Sequence, residues 1–432
     1  MKRVLIISPH FPPVNAPDMQ RVRMSLPYYK EMGWEVEVIT VAEQYIEVVR
    51  DEFLNETVPD DITVHRVKAW PVSVTRKLGL SSLSIRSYFH FKRKGSQLLK
   101  RKKFDLVFFS TTMFHVCALG RYWKEKFGVP FIIDLQDPWR NDFYLDKPKS
   151  ERPPKFWLAY KIHKYLEAYA MPSVTGIMAV SQAYIDTVKK RYPVLKGIPS
   201  VVIPFGCSEN DFELVKRKHL LPEIITKTSN SINVVYIGAV TKNFLPIIKA
   251  FFTAFNKTIK QRDDYHFYFI GTNYTAGMHY KPVEELAAEM NIRHLVTEVP
   301  DRIPYFAAIA TMMESDILFI PGSMDVDYNA SKVYNNILTL KPIFSIFNNK
   351  SLVKDVIEKT NAGIVVGVQG NETALELNKL IEAKMPLFES LHKSPGTLDM
   401  NVFNQFTAKN KTQEQVDFFN EIILKGTDKS IH

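Results

Sequence analysis

The sequence predicts an α/β chain of two parallel-sheet lobes, and three observations carry that reading. Short β-branched or aromatic runs alternate with helical stretches along the chain, the signature of strand–helix–strand units around a parallel sheet. The alternation is interrupted by polar, strand-poor text at 206–230, where the linker between lobes is expected, and then restarts. The length, 432 residues, suits two or three ordinary domains. The expected division is a first lobe at 1–205, a second at 206–405, and a closing helical segment at 406–432. Two-lobe folds of this kind often pack such a last helix back on the first lobe.

The elements follow in order. Residues 4–7 (VLII) read as a buried strand that stops at Ser8-Pro9. A Pro-rich loop leads to a helix starting near Met19, with Asp18 as its cap, running to about Met32 and ended by Gly33. WEVEVIT (34–40) is the next strand. Further strands are expected at 62–67, 104–109, 129–134, 176–179 and 200–203, with helices at 118–127 and 156–169 between them. In the second lobe, strands are expected at 232–237, 265–270, 295–299, 317–320 and 342–346. Helices are expected at 246–255, 303–315, 332–340, 351–359 and 413–424. Two such lobes facing each other across a cleft suit transfer between two substrates, one held by each.

Parallel sheets bind ligands beyond the carboxyl ends of their strands, which selects the candidates. In the first loop, Asn15 and Ala16 stand where backbone could approach a ligand, and Arg21 could pair a phosphate on the acceptor side. No GxGxxG is present, which argues against a dinucleotide-binding oxidoreductase. Asp134 ends a strand and Asp137 follows three residues later, in IIDLQDPWRND. A carboxylate there can accept or orient a hydroxyl proton, and Trp139 could shape an acceptor pocket. His115 lies past another strand end. In the second lobe, Gly238 and Gly271 end strands, and Thr241 and Lys242 precede a helix whose free N–H groups would favour an anion. Ser331 and Lys332 open another helix, and Asn335 sits one turn in, placed to bond a ribose or base.

Composition narrows the classes. Hydrophobic residues are 46% and charged residues 24%, an ordinary globular balance. Two cysteines, with no CxxC or Cys/His cluster, point to neither a disulfide framework nor structural zinc, and no metal ligand set is expected. The apolar run in MKRVLIISPHFPP is too short for a signal peptide, and no run of 18 apolar residues spans a bilayer, so a cytoplasmic location is expected. The net charge of +10 favours an anionic partner. Eight basic residues fall in 86–103 with no acid: Arg86, Lys92, Arg93, Lys94, Lys100, Arg101, Lys102 and Lys103. With Tyr88, Phe89 and Phe91 interleaved, this stretch suits an anionic membrane surface, peripheral on the inner face of the cytoplasmic membrane. A nucleic-acid partner is not expected.

Several of these segments together resemble the GT-B glycosyltransferases, specifically the large retaining family 4, which includes bacterial surface-polysaccharide enzymes. The resembling segments are VLIISPHFPP with GWEVEVIT, then MAVSQAYIDTVKKRYP with VVIPFGCSENDF, then VVYIGAVTKN, and SDILFIPGS with ASKVYNNILTLKPIF. The resemblance implies two Rossmann-like lobes, with an acceptor in the first and a nucleotide-sugar donor, UDP- or GDP-linked, in the second. It implies a metal-independent transferase that retains anomeric configuration through an oxocarbenium-like state. The acceptor would be a glycan or a prenyl-diphosphate-linked glycan. Catalytic weight then falls on Asp137, His115, Lys242 and Lys332. Gly238, Thr241, Lys242, Gly271, Ser331, Lys332 and Asn335 would hold the donor, and Asn15, Ala16, Arg21, Asp134 and Trp139 would line the acceptor side. The family commonly has a glutamate at the position of Asn335, and an amide lacks its charge-assisted bond. A catalytically impaired relative that binds a sugar nucleotide or a glycan, and a nucleotide-sugar epimerase of the same fold, are the alternatives.

Overall fold

The computed structural model describes residues 1–432 except 76–79, 154, 226–230, 274–278, 326–331, 394–395 and 429–432. It divides into two compact units, Met1–Gly206 with Ala408–His432, and Cys207–Thr407.

The first unit holds seven strands: β1 Lys2–Ile7, β2 Trp34–Val41, β3 Thr63–Val67, β4 Leu106–Ser110, β5 Phe131–Leu135, β6 Gly176–Ala179 and β7 Ser200–Val202. Their order is β3-β2-β1-β4-β5-β6-β7, and every pairing is parallel. The central strands β1, β4 and β5 are covered on both faces, so their buried stretches are mostly apolar, broken in β5 by Asp134, whereas the edge strand β3 carries His65 and Arg66. The helix Ala408–Asp428 belongs to this unit. Its Phe419 packs against Tyr29, Trp34 and Phe108. Gln415 donates to Ser25 Oγ at 2.9 Å, and Ile422 closes on Gly176.

The second unit holds β8 Ile232–Ile237, β9 Tyr265–Ile270, β10 Val296–Val299, β11 Ile317–Ser323, β12 Ile343–Asn348 and β13 Gly363–Val368. The order β10-β9-β8-β11-β12-β13 is again wholly parallel and repeats the winding of the first sheet. Its core is aromatic. Phe251, on the helix Leu245–Thr258, meets the rings of Phe252, Phe255, Phe267, Phe319, Phe344 and Phe388.

Three local expectations change. The first helix is a 3-10 turn at Pro17–Met19 followed by Gln20–Ser25 alone. Pro27 has no N–H with which to continue the ladder. Asp18 is not its cap, because its carboxylate is taken by other partners. The stretch 206–230 includes a helix, Glu209–Lys218, that buries Phe212, Leu214 and Val215. It is therefore not all linker. Strand β13 was not anticipated, since GIVVGV lies between helical patterns and carries two glycines.

Candidate functional site

In the second unit, strand ends and basic side chains converge. Gly238 follows β8. A Cβ on it would lie 2.7 Å from the Tyr236 hydroxyl and 3.4 Å from Lys332 Nζ. The close clash is with the Tyr236 hydroxyl, and the Lys332 ammonium lies in contact range of the same point. Gly271 follows β9 at φ +71°, a conformation that favours glycine. A Cβ there would lie 3.8 Å from Arg302 Cα. Arg302 stands just beyond β10 and acts electrostatically on Lys332. Gly238, Gly271, Arg302 and Lys332 thus share one corner of the sheet.

The residue Lys332 keeps accessible surface, while its ammonium end sits against the Gly238 position. Lost hydration there, and then the charge on Arg302, lower its pKa below the ordinary lysine range. Among the described residues, Lys332 has no hydrogen-bond or ion-pair partner. A cation held with reduced hydration beside a second cation gains most from an anion placed between them.

The helix that follows, Val333–Leu338, has six residues. The anion-binding capacity of this corner therefore rests on side chains and strand-end backbone more than on a helix terminus, which differs from the sequence expectation. Ser331 lies outside the described residues. Thr241 and Lys242 lie in the exposed loop before Leu245–Thr258. That loop is tied to the end of β9, with Val240 N donating to Thr272 O at 2.9 Å.

Asn335 sits in a polar relay. Its Nδ2 donates to the Tyr305 hydroxyl at 3.5 Å, and that hydroxyl donates to Asp211 Oδ2 at 2.7 Å. Asn335 Oδ1 is buried without a partner, an acceptor open to a ligand hydroxyl or N–H. Arg302, Tyr305 and Asp211 were not singled out from the sequence. Arg302 was findable, since it follows the expected strand at 295–299. Asp211 was hidden in the supposed linker.

In the first unit, the acceptor-side candidates part company. Arg21 is buried, its Nε donating to Asp134 Oδ2 at 2.7 Å and its other guanidinium nitrogen to Ile203 O at 2.7 Å. Asp134 is wholly buried and also accepts from Ser110 Oγ and Gln136 Nε2. These two residues neutralise each other inside the sheet end. This corrects the reading of Arg21 as a phosphate ligand and of Asp134 as a substrate-facing carboxylate. Trp139 is likewise buried, stacked on Phe114 at 5.6 Å. Ala16 is buried, and Asn15 is spent in part on the backbone, its N–H donating to Val49 O.

A pair that the sequence reading passed over occupies this strand-end region. His10 Nδ1 lies 2.8 Å from Asp18 Oδ1, and Asp18 Oδ2 accepts from Thr111 Oγ1 at 2.8 Å and Thr112 N at 3.3 Å. Burial pushes Asp18 up, but His10, Thr111 and Thr112 together hold it below its ordinary value. Asp137, exposed nearby, is raised by partial desolvation and then by the charge on Asp18. A carboxyl raised in this way suits proton exchange better than an ordinary surface aspartate. His115 is buried, bonded through Nδ1 to Ser84 Oγ at 2.7 Å and set 4.5 Å from the His163 ring. Desolvation, and then His163, push it down to about 3, so it is neutral. These contacts give it a structural part, tying the helix Leu83–Arg101 to Phe156–Ala170.

The basic stretch is also divided. Arg86 is buried and donates to the carbonyls of Ser81, Trp70 and Tyr45. Lys102 pairs with Glu37 at 2.6 Å, and Lys92 lies over the Tyr122 ring. Arg93, Lys100, Arg101 and Lys103 remain exposed. Among the described residues, no helix is long and apolar enough to cross a membrane, and no group of three His, Cys, Asp or Glu is placed to hold a metal.

Residues 22–209, less than half of the chain, match the model of Glycosyltransferase Family 4. In sequence, no curated protein matches the chain. Among solved structures it is similar to an alpha,alpha-trehalose 6-phosphate synthase from Burkholderia multivorans, at 11% identity and a TM-score of 0.60, covering 100% of this chain and 98% of that one. It is similar to a sucrose-phosphate synthase from Thermosynechococcus elongatus, at 12% identity and a TM-score of 0.54, with 100% and 98% covered. A glycosyltransferase from Rickettsia africae ESF-5 matches at 13% identity and a TM-score of 0.55, with 98% of each chain covered. The chain has the GT-B fold shared by these enzymes.

Proposed function

We propose that this protein is a glycosyltransferase that moves a sugar from a nucleoside-diphosphate donor, held by the second unit, to a glycan or prenyl-diphosphate-linked glycan acceptor. The observation that carries this reading is the Lys332 ammonium set against Gly238, with Arg302 beside it at the strand ends. As the bond from the sugar C1 to the diphosphate breaks, negative charge grows on the leaving oxygens. Cations already fixed and partly dehydrated stabilise that charge more than they stabilise the neutral bond. Lys332 and Arg302 take that part, with Lys242 reaching in from its loop. Asn335 Oδ1 and the Tyr305 hydroxyl serve the ribose or base. Retention of configuration follows from the family 4 likeness, and a lipid-linked acceptor would place the enzyme on the inner face of the cytoplasmic membrane.

Release of nucleoside diphosphate from UDP- and GDP-hexoses, with calorimetric binding of UDP and GDP, tests the reading. Binding of one nucleotide, weakened in Lys332→Ala while the fold is kept, is the expected result. Binding of neither nucleotide overturns it. A second reading, binding without turnover, draws on Asn335, where a charged ribose partner is lacking. Tight nucleotide binding with no sugar released or transferred would favour it.

A further inference from the structure

We propose that an aromatic and basic patch on the first unit, formed by residues 143–152 and the helix Phe156–Ala170, docks this protein on the surface of an anionic lipid bilayer. The patch is distinct from the basic stretch 86–103, and its test does not depend on the glycosyltransferase reading.

Large apolar side chains concentrate here on the outside of the molecule. Phe143 is 61% exposed, Trp157 64% and Tyr165 72%. Of these, Phe143 opens a row of ring contacts. Phe143 contacts Tyr144 at 5.2 Å, Tyr144 contacts Phe156 at 5.6 Å, and Phe156 contacts Tyr160 at 5.6 Å. A continuous row of rings therefore runs from the loop onto the helix. Trp157, Lys161, Lys164 and Tyr165 recur at helical spacing, which places them on one stripe.

Cations lie over these rings. Lys147 sits 5.0 Å from the Phe143 centroid, Lys161 5.2 Å from Trp157, and Arg152 6.0 Å from Phe156. Lys149, Lys155 and Lys164 add charge in the same segment. The acids are fewer and mostly spent. Asp142 is held by Arg140 and Arg191, and Glu167 is buried against Arg191. Asp146 and Glu151 stay exposed.

Charge complementarity selects the occupant. Trp and Tyr favour the bilayer–water boundary, where the ring is apolar and the edge is wet. Lysine stems can lie along apolar surface while their ammonium groups reach phosphate oxygens. An anionic headgroup layer satisfies both demands across a broad surface. The stretch 86–103 also carries exposed rings, Phe89 meeting Tyr88 and Trp70 at 5.8 Å each, but Arg86, Lys92 and Lys102 are already engaged there.

The test is sedimentation of the full chain with vesicles of phosphatidylcholine alone and with vesicles of phosphatidylcholine and phosphatidylglycerol. The chain is expected to sediment with the anionic vesicles and to be released by salt. A Phe143→Ser, Trp157→Ser, Tyr165→Ser variant should bind at least about tenfold more weakly with an unchanged thermal melt, because the replaced groups are exposed. A Lys147→Gln, Lys161→Gln, Lys164→Gln variant should weaken binding to the anionic vesicles and lower its sensitivity to salt. No sedimentation of the wild type with anionic vesicles overturns the proposal. So does equal binding by the aromatic variant, equal binding to neutral vesicles, or loss confined to neutralisation of Lys100, Arg101 and Lys103.

Discussion

The ammonium nitrogen of Lys332 lies 3.4 Å from the point that a Cβ on Gly238 would occupy. A lysine that follows β11 and a glycine that ends β8 are thereby one feature. The lysine brings charge to the strand end, and the glycine leaves room for the Tyr236 hydroxyl beside it. Lys332→Ala should weaken binding of the matching nucleoside diphosphate by roughly 10- to 100-fold, the range for one charge-assisted hydrogen bond, with little change in urea midpoint. Gly238→Ala should weaken the same binding, because its methyl group would meet the Tyr236 hydroxyl at 2.7 Å. Calorimetry on both variants checks this.

Arg21 and Asp134 behave differently, since their pair is buried. Removing one partner leaves an uncompensated charge, which typically costs about 3–5 kcal/mol. Arg21→Ala should therefore lower the urea midpoint of unfolding sharply. An arginine that served only to bind acceptor phosphate would leave that midpoint in place.

Acid should destabilise the first unit through His115. Its folded pKa, pushed down to about 3, lies below the unfolded value of about 6.5. Its contribution is fully present above about pH 6.5 and is lost as pH falls from there toward 3, at up to about 1.4 kcal/mol per pH unit. His163, lowered by desolvation, works in the same direction. Urea unfolding at pH 7.5 and 5 should show the loss, and His115→Gln, which keeps a polar partner for Ser84, should reduce it. Asp18 adds a second loss at lower pH: its carboxyl is held below the usual value, so its contribution goes as pH falls through that lowered range.

The His10–Asp18 pair should matter for the acceptor and not for the donor. Asp18 fixes the imidazole through Nδ1 at 2.8 Å, leaving Nε2 as the nitrogen that can accept a hydroxyl proton. His10→Ala is expected to reduce sugar transfer by roughly 100-fold or more, the usual contribution of a positioned acid–base group, while UDP or GDP binding is unchanged. Equal losses in both measurements would place the pair in the fold and not in the chemistry.

Much was legible along the chain because strand and helix periods are local. β6, β8 and β9 begin and end where their apolar runs do, and Gly238 and Gly271 mark strand ends because turns there need little side chain. Edges were less legible. β13 carries glycines, and the helix at Glu209–Lys218 lies in polar text, since only one face of it is buried.

The sequence by itself determined two parallel-sheet units, their strand ends, and the residue types gathered there. The tertiary structure decided which charges remain available. Arg21 and Asp134 lie 113 residues apart, and only folding makes them a 2.7 Å pair that cancels. Lys332 is instead held near a charge of like sign, Arg302, and loses hydration. Whether a charge is spent or kept depends on its distance to an opposite charge and on its access to water. Folding sets both, and neither is written in local spacing.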